Sequence, residues 1–166
     1  MKYVVDLIAE CVAETDAKQF LYGGIDEIIL RINNMNKTAA SIQNKYPLIF
    51  MPTGFKEPFS QRSDIQSEVT IPSIVIITST NKDLYAEQRK EQNYKTVLEP
   101  IYTALLTAIA ENPAFEQSDS SLIEHDLSLH YSWGRHALLQ SDAINVEFID
   151  AIEITDLKLT IYKSIC

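Results

Sequence analysis

Residues 68–78 read Glu68-Val69-Thr70-Ile71-Pro72-Ser73-Ile74-Val75-Ile76-Ile77-Thr78. Val69, Ile71, Ile74, Val75, Ile76 and Ile77 make this the most β-branched stretch of the chain. Such side chains pack well on a pleated surface and lose little rotamer freedom there, so the run predicts a central strand. Pro72 has no N–H for a ladder bond, so that point must sit at a bulge or face an edge.

On the N-terminal side of this strand, residues 52–67 are polar and contain Pro52, Gly54 and Pro58. They predict a long loop or an extended arm. Four large apolar residues, Phe50, Met51, Phe55 and Phe59, lie in or beside it and need cover from the parent domain or from a neighbour. Further back, Tyr46-Pro47-Leu48-Ile49-Phe50 predicts a short strand. Ile25, Ile28, Ile29 and Ile32 recur at helical spacing, with Asp26 and Glu27 at the positive end of the helix dipole. Val4, Leu7, Ile8, Cys11 and Val12 predict an N-terminal helix with Asp6, Glu10 and Glu14 on its other face. Gly23-Gly24 marks a turn between the two helices.

On the C-terminal side, Tyr94, Val97, Leu98, Ile101, Tyr102, Leu105 and Ile109 trace one face of the longest helix. Thr80 or Asn81 is the expected cap. Pro100 predicts a kink or a break, and Asn112-Pro113 the end. Leu127, Leu129, Tyr131 and Trp133 then alternate with Ser128, His130 and Ser132, which predicts a half-buried strand. In residues 148–162, Ile152 and Ile154 share one parity and Leu157, Leu159 and Ile161 the other. That slip predicts a bulge or tight turn near Thr155-Asp156. The expected fold class is α+β, a mostly antiparallel mixed sheet packed against helices. One domain over residues 1–166 is expected, with the arm at about 52–67.

Composition narrows the function. The formal net charge of −9, with 14 Lys and Arg residues and no dense basic run, argues against a nucleic-acid surface. No apolar run approaches the roughly 20 residues of a membrane span, and acids interrupt the N-terminal helix, so neither a membrane segment nor a signal peptide is expected. Cys11 and Cys166 do not form a disulfide framework. Synthesis in the cytoplasm is the expectation.

Several clusters could carry chemistry. His125, His130 and His136 lie close in sequence beside Glu124 and Asp126. They lack the HExxH and Cys spacings of zinc sites, and the strand assignment puts His130 on the polar side, so a solvated face is the simpler reading. Changing them is expected to leave stability and metal content unaltered. Ser120 or Ser121 with His125-Asp126 can be drawn as a triad, but triads assemble in space and no G-x-S-x-G elbow occurs. Cys11 sits on the apolar face of its helix and reads as core. Gly23-Gly24 lacks the spacing of a dinucleotide or phosphate loop. Residues 82–91 mix both signs, with Glu91 and Lys95 at helical spacing. Tyr131, Trp133 and Arg135 are residue types that anchor interfaces. No catalytic, metal or cofactor residue is assigned; the candidate assembly contacts are Phe55, Phe59, Trp133 and Arg135.

A family resemblance runs through nearly the whole chain. It is carried by Tyr22-Gly23-Gly24-Ile25-Asp26-Glu27-Ile28, Lys45-Tyr46-Pro47-Leu48-Ile49, Glu87-Gln88-Arg89, and Lys95-Thr96-Val97-Leu98-Glu99-Pro100-Ile101-Tyr102. Ile149-Asp150-Ala151-Ile152-Glu153-Ile154 and Leu157-Lys158-Leu159-Thr160-Ile161 complete it. These stretches resemble proteins of prophage-like elements of Bacteroidetes. They are packing and turn residues, which mark kinship without marking chemistry. The order of elements is similar to that of phage tail-terminator or tail-completion (minor tail) proteins, α+β proteins that form rings on the tail tube. The resemblance implies a structural, non-enzymatic homo-oligomer that contacts other tail proteins, takes no small-molecule substrate, and ends in a virion or tail-like particle. Two other classes compete: a small hydrolase-like enzyme using the His125-Asp126 region, and a monomeric binding module of a mobile element.

Overall fold

The computed structural model describes residues 3–38, 40, 43–54, 67–116, 119–131 and 148–162. In chain order the elements are α1 (Val4–Ala13), β1 (Gln19–Gly23), α2 (Ile25–Asn34), β2 (Leu48–Pro52), β3 (Ser67–Ser79), a long helix α3, β4 (Asp126–His130) and β5 (Ile149–Ile161). Short 3-10 turns lie at Met35–Lys37 and Ser120–Leu122. The α3 rod is α-helical over Ala86–Arg89, π-helical over Lys90–Leu98 and α-helical again over Glu99–Glu111.

The five strands form one mixed sheet in the order β1-β2-β3-β5-β4. Only β1 and β2 run parallel, with α2 in the connection between them; the remaining pairs are antiparallel. The α+β sheet packed on helices is therefore as the periodicities predict. β1 itself was not expected. Phe20-Leu21-Tyr22 is too short to announce a strand alone, and its state depends on pairing with Leu48–Pro52 far along the chain.

The two faces of the sheet bury two apolar clusters. One joins Val4, Leu7, Ile8, Cys11 and Val12 of α1, and Tyr94, Leu98, Ile101, Leu105 and Ile109 of α3, to Ile74, Ile76, Ile152 and Ile154. The other packs Ile28, Ile29 and Ile32 of α2 on Leu48, Phe50, Val75, Ile77 and Ala151. The apolar stripes read from helical spacing are thus the buried faces.

The phase slip occurs in both central strands at one level. Val69 and Ile71 face the α1/α3 cluster at odd positions, Ile74 and Ile76 at even ones; on β5, Ile152 and Ile154 give way to Leu157 and Leu159. Ile71 pairs with Leu157 and Ser73 with Thr155, so Pro72 and Asp156 lie between two intact rungs. Asp156 takes φ +53°, a left-handed conformation that Asp tolerates better than most side chains. Because each strand carries one such residue, the ladder keeps its register across the slip.

Two local expectations are corrected. The long helix starts at Ala86, not at Thr80 or Asn81. The Gln88 side chain accepts the Tyr85 N–H at 3.0 Å, whereas Asn81 Oδ1 accepts the Asp83 N–H in a turn. Pro100 is met by a change of winding. Its ring would crowd the Thr96 carbonyl in an α-helix, and the wider π turns of Lys90–Leu98 end beside it.

Candidate functional site

Among the described residues β4 is the outermost strand of the sheet beside β5. Its Leu127 and Leu129 pair with Ile154 and Ile152, so they share the face that α1 and α3 cover elsewhere. α3, however, lies mainly over β3 and β5 and meets β4 at its His130 end through Tyr94. Leu127, Leu129 and Tyr131 are therefore 46%, 47% and 42% exposed, while Ser128 and His130 are half-buried. This reverses the expected burial of the strand. Alternation correctly places these side chains on one face, but among the described residues no helix covers Leu127 and Leu129 there. Tyr131 leans on the buried Tyr94 ring at 4.9 Å between centroids.

Tyr94 ties the edge to α3: its hydroxyl donates to the His130 carbonyl at 2.6 Å. Burial pushes the phenol well above its usual range, and Asp150 and Tyr131 add to the shift. A raised pKa in the fold means that ionisation is disfavoured there. The stabilisation is full below the ordinary tyrosine pKa of 10.0 and is lost as pH rises through the folded value. Tyr94→Phe is expected to cost about 1 kcal/mol at neutral pH. Between about pH 9 and pH 11 the variant should lose less stability than the parent, by urea unfolding. Equal losses in both proteins would show that Tyr94 does not resist ionisation.

On the opposite face, Glu153 stands between two partners. Its Oε1 accepts from Ser73 Oγ at 2.8 Å, and its Oε2 contacts His130 Nε2 at 2.8 Å. Hydroxyl activation needs an imidazole between hydroxyl and carboxylate. Here the carboxylate holds both, an arrangement that links β3, β5 and β4 across the sheet.

The residues drawn as a triad are not brought together. Ser121 Oγ donates to Asp119 Oδ1 at 2.8 Å. His125 Nδ1 is 2.8 Å from the Ile123 carbonyl, which can only accept, so the neutral ring carries its proton there. Nε2 then accepts the Tyr102 hydroxyl at 2.7 Å. His125 and His130 thus point to different partners, and His136 lies outside the described residues. Among the described residues no group of three His, Cys, Asp or Glu side chains could hold a metal ion.

Cys11 is 2% exposed, and burial pushes its thiol up to about 11. A thiolate is the reactive form, so Cys11 is expected to resist thiol reagents at pH 8 until the protein unfolds. Fast labelling of Cys11 in the native protein, located by peptide mapping, would show that α1 opens readily.

A buried polar clamp went unread in the sequence. Asp150, fully buried, contacts Arg89 Nη1 at 3.4 Å and accepts Asn93 Nδ2 at 2.7 Å. Arg89 also donates to the Leu84 and Asn81 carbonyls, and Asn93 to Thr80 Oγ1. These bonds fasten the 80–85 loop and the start of α3 to β5. Gly23 ends β1 and Gly24 caps α2. Glu27 Oε2 lies 2.6 Å from where a Gly23 Cβ would stand, so a carboxylate already occupies the space an anion would need.

Of the residues predicted from sequence as assembly contacts, Phe55, Phe59, Trp133 and Arg135 all lie outside the described residues. Among the described residues no helix is long and apolar enough to cross a membrane. No family model, curated protein or solved structure matches the chain.

Proposed function

We propose that the protein is a structural, self-assembling component of a phage tail or prophage-derived tail-like apparatus, in a tail-terminator or head-tail joining role. The observation that supports self-assembly is the row of exposed apolar side chains Leu127 and Leu129 on β4 and Tyr131 just beyond it. Apolar side chains exposed in a row invite another chain, and soluble proteins ordinarily guard outer strands with Lys or Pro. β4 contains neither Lys nor Pro. The assignment to a tail rests on the sequence resemblance and the order of elements alone. Native mass spectrometry and light scattering over a concentration series test the reading. An oligomer whose population grows with concentration is expected; a monomer throughout, alone and with isolated tail tubes, speaks for the binding-module alternative. Hydrolase activity lost on His125→Ala in a still-folded variant would favour the enzyme alternative instead.

A further inference from the structure

The residues that α3 buries against the sheet do not keep one spacing. Arg89 and Tyr94 are five residues apart, Tyr94 and Leu98 four, Leu98 and Ile101 three. An i→i+5 winding sets residues five apart nearly in line, and Lys90–Leu98 has that winding. The Glu99 N–H reaches back five residues to the Tyr94 carbonyl. The Thr96 hydroxyl donates to the Glu91 carbonyl, also five back, at 2.7 Å. The run of nine residues exceeds the single-turn π bulges usual inside helices. At about 100° per residue, an α-helix would instead turn Arg89 about 140° from Tyr94 and set Lys90 about 40° from it. Lys90 is exposed. With α winding it would stand on the sheet side, where Arg89 stands now, and Arg89 would face outward.

We propose that α3 is a two-state winding switch. In the first state, π winding places Arg89 on the buried Asp150 carboxylate, 3.4 Å away. In the second, Lys90–Leu98 are α-helical, the start of the helix has slipped by one residue, and Lys90 takes the place of Arg89 at Asp150. Three observations carry this. First, the two cations are adjacent in sequence, so a one-residue slip exchanges one for the other and keeps a cation at Asp150. Secondly, Tyr94, Leu98 and Ile101 belong to the α1/α3 cluster at spacings of four and three, which α winding also holds on one face. The core side of the helix therefore survives the change. Thirdly, Pro100 sets the balance. Its ring crowds the carbonyl four residues back in an α-helix, so it favours π turns beside it. Arg also suits a buried carboxylate better than the strongly hydrated Lys ammonium. Both effects make the α-wound state the minor one.

The slip acts beyond the helix. Arg89 also holds the Leu84 and Asn81 carbonyls, so turning it outward removes these ties from the 80–85 loop. A partner that binds the loop better in that form selects the α-wound state. A chain lacking Asp150 gains no relief from the slip, which would bury Lys90 in place of Arg89.

A two-residue cycle read by urea unfolding tests the switch. Lys90→Gln alone should change the folding equilibrium constant by less than about twofold, because it alters an exposed side chain. Arg89→Gln should stay folded, with Lys90 at Asp150. Adding Lys90→Gln to Arg89→Gln should then lower the constant about tenfold or more, whereas a helix of fixed winding gives additive effects. Couplings across hydrogen bonds, measured by NMR, read the winding itself. In Arg89→Gln the Glu99 amide should couple to the Lys95 carbonyl instead of the Tyr94 carbonyl it meets in the parent. Additive effects in the cycle overturn the switch, as does an Arg89→Gln protein that does not fold. A tenfold loss with the Glu99 amide still coupled to Tyr94 overturns it too, since Lys90 would then reach Asp150 without any change of winding.

Discussion

Asp150→Ala is expected to destabilise the protein by about 3–5 kcal/mol in urea or guanidinium unfolding, with the Arg89 guanidinium left buried without this carboxylate. Asp150 is fully buried and Arg89 6% exposed, so water cannot readily replace the lost carboxylate. Much of the cost is keeping the Arg89 charge buried without the carboxylate rather than the lost attraction, because burying an ion pair spends most of its Coulomb energy on desolvation. Asn93 would lose its 2.7 Å acceptor in the same variant. Replacing both partners, with Arg89→Met and Asp150→Leu, should therefore recover a large part of the single-variant loss. A loss below about 1 kcal/mol for Asp150→Ala would mean that the clamp opens to water in solution. The expected loss is a large share of the 5–15 kcal/mol that holds an ordinary domain together.

Ile101→Ala should cost about 2–5 kcal/mol, from lost transfer energy and the cavity left behind. Ile101 is 2% exposed and belongs to the cluster that seats α3 on the sheet beside Leu98 and Leu105. Its position just after Pro100 adds to the expectation, since the change of winding there limits how far the helix can shift to refill the space. A change below about 0.5 kcal/mol would show that this stripe does not bear on the core. One substitution loosens the start of α3 and the other its middle, and their effects should add within about 0.5 kcal/mol.

Periodicity made much of this fold legible. The stripes on α1, α2 and α3, the central strand around Ile74–Ile77, and the slip at Asp156 follow from the spacing of Ile, Leu and Val alone. Spacing works there because a helix or strand must bury one face, and the face it buries is written at a period of 3.6 or 2. β1 was not legible, because Gln19–Gly23 becomes a strand through partners some thirty residues away. The Arg89–Asp150 clamp was not legible either: neither residue type nor spacing tells which charge a neighbouring element will bury.

β4 separates the two kinds of information most clearly. Alternation along Leu127, Ser128, Leu129 and His130 determines that the leucines share one face and the polar residues the other, since successive side chains on a strand point to opposite sides. That much is a local property of the chain. Whether the leucine face is covered depends on where the strand stands in the sheet and where α3 lies, and both are settled by packing among distant elements. The tertiary structure puts β4 outside β5 and puts α3 over β3 and β5, leaving Leu127 and Leu129 nearly half exposed. A pattern that reads as core in the sequence is a surface in the fold, because burial is decided by neighbours and not by the strand that carries the side chains.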